Sequence, residues 1–311
     1  MALDRIRIAT RESRLALAQT HFVADALKGR SPGLGVEIVG MTTRGDRVLD
    51  RPLAEVGGKG LFVKELEAAL EEGRADIAVH SMKDVPMEVP PAFAIATFGE
   101  RELPMDAFVS NHHASLAQMP EGALVGTSSL RRECQLRHAY PKLAFAPLRG
   151  NVNTRLAKLD RGEYQAIILA AAGLRRLGFP ERIRAILPAT LAVPAIGQGI
   201  LAIEYPGGRA DLAELIAPHE WPEVAAAARA ERALGLVVEG SCTVPVGALA
   251  RVTEDSLHLE AFVGLPDGSR IVRDSARGTS RHAASLGAML GEKLLAAGGS
   301  EILRQLAGGV A

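Results

Sequence analysis

Ala75-Asp76-Ile77-Ala78-Val79-His80-Ser81-Met82-Lys83-Asp84-Val85-Pro86 is the stretch on which the fold turns. Asp76 to His80 reads as a buried strand, because a short apolar run bounded by polar residues suits a sheet covered on both faces. Ser81 to Asp84 follow at its carboxyl end, and Val85-Pro86 turns the chain away. Asp84 is thereby aimed at the space beyond the strand ends, where open α/β sheets bind ligands. Taken alone, Asp84 is as well read as a turn residue or a partner of Lys83.

Working outward, strands alternate with helices: Ile6 to Ala9, Leu15 to Leu27, Val36 to Thr42, Leu61 to Glu71, then the quoted strand. That order predicts a mostly parallel sheet. Arg11 and Ser13 follow its first strand and Thr43-Arg44-Gly45-Asp46 its second. A second unit repeats the logic from about Leu103 to Pro194, with strands at Leu124-Val125, Leu143 to Pro147 and Ala166 to Ala170. Leu201-Ala202-Ile203 reads as one more strand, which carries the chain back into the first lobe and makes two crossovers, a hinge. After Trp221-Pro222 come a helix, Val224 to Leu236, strands around Val246 to Val252, Leu257 to Gly264 and Ser269 to Arg273, and a closing helix, Arg281 to Leu306. The expected fold is α/β: two lobes side by side with a central cleft plus a small C-terminal α+β domain. Its expected boundaries are 1–99 with 200–217, 100–199, and 218–311.

Composition removes several alternatives. The 311 residues balance 36 Lys and Arg against 36 Asp and Glu, so no global field draws the chain to nucleic acid or an anionic membrane. The two cysteines, Cys134 and Cys242, are far apart and lack zinc-ligand spacing, so neither a disulfide scaffold nor a metal is expected. The N-terminus enters a strand pattern directly and no run of about 18 apolar residues occurs, which predicts a cytoplasmic chain.

Local charge carries the chemistry. Between Thr127 and Arg155 stand six basic residues, Arg131, Arg132, Arg137, Lys142, Arg149 and Arg155, against one acidic, Glu133. A solvated basic face is the ordinary reading of such a run. Position opposes it: Thr127-Ser128-Ser129 opens a helix, and Arg131 and Arg132 sit in a first turn whose dipole disfavours cations unless an anion compensates. Arg149-Gly150-Asn151 repeats the strand-to-helix geometry, and Arg suits bidentate carboxylate binding. Gly57-Gly58-Lys59-Gly60 lacks phosphate-loop spacing, and Gly197-Gln198-Gly199 precedes a strand, so neither is a nucleotide site. Both read as flexible loops, with Lys59 placed to touch a ligand. A carboxylate set among these cations suits proton transfer or stabilisation of a developing cation. Cys242, among loop formers, reads on chemistry alone as an inert thiol more readily than as a reactive one, and Cys134 as packing.

Together these segments resemble the porphobilinogen deaminase (hydroxymethylbilane synthase) family over essentially the whole chain. The likeness rests on Ala9-Thr10-Arg11 with Ser13, Thr43 to Asp46, Gly57 to Phe62, Val79 to Asp84, Gly126 to Arg132, Leu148 to Val152, Gly197 to Gly199, and Cys242. It implies a three-domain fold whose first two lobes are periplasmic-binding-protein-like, and a transferase that condenses four porphobilinogen molecules head to tail, releasing ammonia, to the linear tetrapyrrole hydroxymethylbilane of porphyrin and haem biosynthesis. A dipyrromethane cofactor would be bound covalently to Cys242 by a thioether, without a metal. Asp84 would be catalytic. Arg11, Ser13, Lys59, Ser81, Lys83, Thr127, Ser128, Ser129, Arg131, Arg132, Arg149, Gly150, Asn151, Arg155, Arg176 and Gln198 would bind the carboxylates of cofactor and substrate. The partners implied are porphobilinogen and its oligomers, with no nucleic acid or membrane, for a monomer able to hand its product to the next enzyme. Ser241 stands where the family more often has Gly, and Glu12 and Glu55 add negative charge near Arg11 and Lys59. Two rivals remain: a non-catalytic two-lobed binding protein, which gives Cys242 no task, and a cysteine acyl-transferase, for which no histidine lies in the Cys242 loop.

Overall fold

The computed structural model describes residues 3–47, 60–238 and 244–308. Lys59 and Cys242, with Glu55 and Ser241, lie outside them. In the first lobe β1 (Arg5–Arg11), α1 (Arg14–Arg30), β2 (Gly35–Met41), α2 (Arg44–Arg47), α3 (Lys64–Glu71), β3 (Ile77–Ser81) and β4 (Phe93–Phe98) follow one another. The second lobe holds β5 (Asp106–Val109), β6 (Leu124–Gly126), α4 (Leu130–Ala139), β7 (Ala144–Ala146), α5 (Val152–Asp160), β8 (Ala166–Ala170), α6 (Ala171–Arg176) and β9 (Ala185–Leu187). The chain then returns through β10 (Leu201–Pro206) and α7 (Ala210–Ile216). It finishes with α8 (Pro222–Val237), β11 (Val246–Thr253), β12 (Ser256–Gly264), β13 (Ile271–Thr279), α9 (Ala283–Leu294) and α10 (Ser300–Gly308).

The two five-stranded sheets have one plan, with orders β2-β1-β3-β10-β4 and β7-β6-β8-β5-β9. Four strands of each run the same way, and the fourth position is filled by an antiparallel strand attached directly to a crossover, β10 in one lobe and β5 in the other. Each sheet is therefore mostly parallel with a single reversed strand, because the crossing strand enters from the opposite end. Ile6, Ile8, Leu27, Ile77, Phe98 and Ile203 pack on one face of the first sheet, and Ala9, Leu66 and Ala78 on the other. Burial on both faces explains the unbroken apolar run of β3. In the third unit α8 and α9 cover the antiparallel β11-β12-β13 sheet. The closing helix is two helices, because Gly298 adopts φ 114° between α9 and α10. Cys134 is buried among Ala189, Val193, Leu249 and Phe262, with its thiol pushed up to about 12 chiefly by burial.

The two crossovers are stapled to each other and to α8. Gly199 accepts from the Glu102 N–H at 3.1 Å and from Arg176 Nη2 at 2.9 Å. Glu231, 0 % exposed, accepts from Arg101 Nη1 at 2.6 Å, the Gly197 N–H at 2.7 Å and the Ala250 N–H at 2.8 Å. A buried carboxylate is tolerated when its lone pairs are satisfied in this way. Gly199 has φ 89°, and a Cβ there would stand 2.2 Å from the Glu102 carbonyl oxygen. Gly199→Ala is expected to lower stability by roughly 1–3 kcal/mol from backbone strain alone, with a further cost for parting the crossovers. Urea denaturation checks this, and an unchanged midpoint would contradict the staple.

Candidate active site

β3 ends at Ser81 and enters one 3-10 turn, Met82–Asp84, in which the Val85 N–H donates to the Met82 carbonyl at 3.1 Å. Asp84 is exposed on this turn and Lys83 is partly buried. Arg11, Ser13, Gln19, Phe62, Ser81 and Asp84 line one concavity of the first lobe. Arg11 Nε donates to Asp46 at 3.0 Å, and the Phe62 ring centroid lies 4.1 Å from its guanidinium carbon. Burial pushes the Asp46 carboxyl up, but Arg11 and Thr43 outweigh it and hold the group below its ordinary range. Ser13 caps α1 by accepting the Ala16 N–H at 3.3 Å, and Gln19 Nε2 donates to Ser81 Oγ at 2.8 Å.

The second lobe supplies the opposing wall. Thr127, Ser128 and Ser129 lead from β6 into α4, whose first turn carries Arg131 and Arg132. Both arginines are buried on Asp106, itself 0 % exposed: Arg131 Nη2 and Arg132 Nη2 each donate at 2.8 Å, and Arg132 Nε at 3.0 Å. Gln198 Nε2 adds a fourth donor at 2.9 Å. Burial pushes Asp106 up, yet the two arginines and their hydrogen bonds hold it well below the usual carboxylate range. These donors are aimed at the protein's own carboxylate, so an anion in the cleft meets the pair's residual positive charge and whatever N–H groups remain.

The charges of both lobes act on one another. Burial drops Lys83 to about 8, opposed by Asp84 and Asp106 and reinforced by Arg132 and Arg131. Burial lowers Arg155 to about 10, with the like charges of Arg132 and Arg149 adding to it and Asp84 opposing. Arg149 is likewise lowered by burial. The structure thus gathers Lys83, Asp84, Arg131, Arg132, Arg149 and Arg155. Other expected site residues serve the frame. Arg155 Nε also donates to the Gly150 carbonyl, Asn151 caps α5, and Ser128 Oγ exchanges hydrogen bonds with the Leu148 backbone. Thr127 Oγ1 accepts the Ser129 N–H, while Arg176 and Gln198 belong to the crossovers.

Sequence reasoning passed over Asp106 and Glu231, and named Asp46 only within the segment after the second strand, without its pairing to Arg11. One signal was available: Glu231 shares a helix face with Ala227 and Leu234, which is a buried position.

The cleft suits a ligand bearing several carboxylates. Three desolvated cations, Lys83, Arg149 and Arg155, have burial as the first cause lowering their pKa, which an anionic ligand would reverse. Among the described residues, Arg131 Nε and Gln198 Oε1 are buried polar atoms with no hydrogen-bond partner. A dipyrromethane with acetate and propionate side chains fits this donor set.

Fold and cleft together define a class, a two-lobed α/β protein that gathers buried cations from both lobes around one exposed carboxylate. Residues 6–214 match the family "Porphobilinogen deaminase, dipyromethane cofactor binding domain", and residues 225–296 match "Porphobilinogen deaminase, C-terminal domain". The chain belongs to the porphobilinogen deaminase family. It is the transferase that condenses porphobilinogen into hydroxymethylbilane in tetrapyrrole biosynthesis, with a dipyrromethane cofactor. Among solved structures it is similar to the BvgS VFT2 domain of Bordetella pertussis, at 19% identity and TM-score 0.40, over 68% of this chain and 85% of that one. A putative methionine-binding lipoprotein of Bacillus subtilis matches at 11% identity and TM-score 0.43, over 68% and 90%. A nutrient binding protein of Burkholderia cenocepacia bound to methionine matches at 15% identity and TM-score 0.43, over 70% and 93%.

Proposed function

We propose that Asp84 is the acid–base residue of the condensation and that the surrounding cations hold the carboxylates of cofactor and substrate. The observation that carries this reading is the exposed Asp84 carboxylate at the end of β3, with Lys83 beside it and Arg155 opposing from the second lobe. The cofactor, when bound, supplies the pyrrole α-carbon to which porphobilinogen units are joined. Asp84 delivers a proton as ammonia departs, stabilises the positive charge that develops on the substrate, and accepts the proton released when the new carbon–carbon bond forms. Lys83, Arg149 and Arg155 bind acetate and propionate groups, and charged pairing desolvated in this way orients the reacting carbons. Arg11, Ser13, Ser81, Thr127 and Ser129 complete the walls.

Cys242 is the proposed attachment point. Its segment follows the buried Val238 at the end of α8 and precedes Val244, which packs on the third domain's core. Lys59 is proposed as a further carboxylate ligand. The sheets support domain limits of 1–99 with 200–217, 100–199 and 218–311, since β10 completes the first sheet. We further propose a cytoplasmic monomer that passes its product to the next enzyme. Its charge is balanced, and among the described residues no helix is long and apolar enough to cross a membrane. Light scattering checks the mass.

Lys83 provides a pH test. Its pKa is lowered from 10.5 to about 8, so its ammonium is present below pH 8 and disappears as pH rises through that value. Anion binding therefore weakens on the alkaline side. The expected result is a fall in kcat/KM of about tenfold centred near pH 8, the worth of one charged hydrogen bond. Lys83→Met should remove that step, and a variant that keeps it would exclude Lys83 as its source.

A further inference from the structure

Asp84 is exposed, so the backbone of its turn, more than packing around its own side chain, decides where the carboxylate stands. That turn rests on α8 of the third domain. Val224 and Ala228 of α8 pack with Met82 and Val85 on either side of Lys83-Asp84. One turn further on, Arg232 Nη2 donates to the Pro86 carbonyl at 2.8 Å and to the Met87 carbonyl at 2.9 Å, and its Nη1 lies 3.9 Å from Met82 Sδ. Gly235 continues the row, because a Cβ there would stand 2.6 Å from Met87 Sδ and 2.8 Å from Ile196 Cδ1. Positions 224, 228, 232 and 235 are spaced by four, four and three, which puts them on one face of a helix. A single helical stripe is therefore given over to the segment Met82–Met87.

Holding a cation there is costly. Burial lowers the pKa of Arg232, with Glu204 partly opposing. A desolvated guanidinium is retained where its donors meet fixed acceptors, and here two consecutive carbonyls immediately after the Asp84 turn supply them. The neighbouring residue Glu231 holds both crossovers, so adjacent side chains of α8 grip the pivot and the turn. Cys242 follows Arg232 by ten positions in the sequence.

We propose that Arg232 is a positioning residue: from the third domain it brackets the turn bearing Asp84 and registers that carboxylate against the growing chain. The inference rests on the acid–base reading of Asp84. A misplacement of about 1 Å at a reacting group costs on the order of 10²-fold in rate.

The test uses the full chain with its cofactor attached, as judged by intact mass. Arg232→Gln is expected to lower kcat by about 10²-fold while KM stays within about threefold, the pattern of an interaction expressed in the transition state. Arg232→Lys, which can still reach one carbonyl, should recover part of that loss. In an Asp84→Asn background Arg232→Gln should cost nothing more, because there is no carboxylate left to misplace. Should Arg232→Gln fail to accumulate as folded protein, Gly235→Ala, which displaces Met87 with Arg232 in place, is expected to reproduce the kcat loss. Wild-type kcat in Arg232→Gln or, where that variant does not fold, in Gly235→Ala would overturn the proposal. So would a full additive loss in the double variant. An active Asp84→Asn would instead remove the acid–base reading itself, and an inactive Asp84→Asn beside a fully active Arg232→Gln would remove only the positioning role.

Discussion

Asp84→Asn is expected to fold, keep its attached cofactor and turn over about 10³-fold more slowly, the middle of the range for loss of a general acid–base group. The substitution is nearly isosteric and its side chain is exposed, so stability should move by no more than about 0.5 kcal/mol. What disappears is the negative charge and the capacity to carry a proton. A linked consequence separates this from simple misfolding. Asp84 raises the Lys83 pKa, so removing its charge deepens the depression and moves the alkaline limb of kcat/KM below pH 8. Asp84→Glu, which keeps the carboxylate but moves it outward, should retain more activity than Asp84→Asn. Near-normal turnover by Asp84→Asn would show that the carboxylate does not carry the proton transfers.

The second large effect is structural. Asp106→Ala removes the acceptor shared by Arg131, Arg132 and Gln198, and leaves two guanidinium groups buried beside each other. Breaking a buried pair from one side costs about 3–5 kcal/mol, because the remaining charge is uncompensated. Urea denaturation at neutral pH measures it, and a loss below about 1 kcal/mol would contradict the accounting. The pH dependence follows in sign. The folded-state pKa of Asp106 lies below its unfolded value near 3.9, so its contribution is complete above about pH 4 and is lost as pH falls through the folded value. Wild type and variant should therefore converge on acidification.

Part of this site could be read from residue order. β3 announces itself as an apolar run, and Asp84 follows it before a proline, so the carboxylate's place at a strand end needed no contact information. Thr127-Ser128-Ser129 ahead of Arg131 and Arg132 marked a helix start with surplus charge. What stayed hidden were the charges that answer one another across elements. Asp106 stands alone after Pro104-Met105 and looks like any strand-end acid; only the folded sheet puts it beneath Arg131 and Arg132. Glu231 and Arg232 read as an ordinary charged pair on an alanine-rich helix, although one grips the crossovers and the other the Asp84 turn. Periodicity finds the buried face of a helix but not what lies opposite it. The same limit explains β13. Its polar Asp274, Ser275 and Arg277 suggest a loop beyond Arg273, yet the strand continues to Thr279 because one side of the sheet's edge faces solvent while Ala276 packs inward.

The family supplies the reaction, and the cleft accounts for it only if a polycarboxylate is held among Lys83, Arg149 and Arg155 throughout turnover. The intact mass of the purified, active chain tests that most directly. The predicted result is a mass above that of the sequence by two linked pyrrole units, carried after digestion on the peptide containing Cys242. A fully active chain at its unmodified mass would contradict the account.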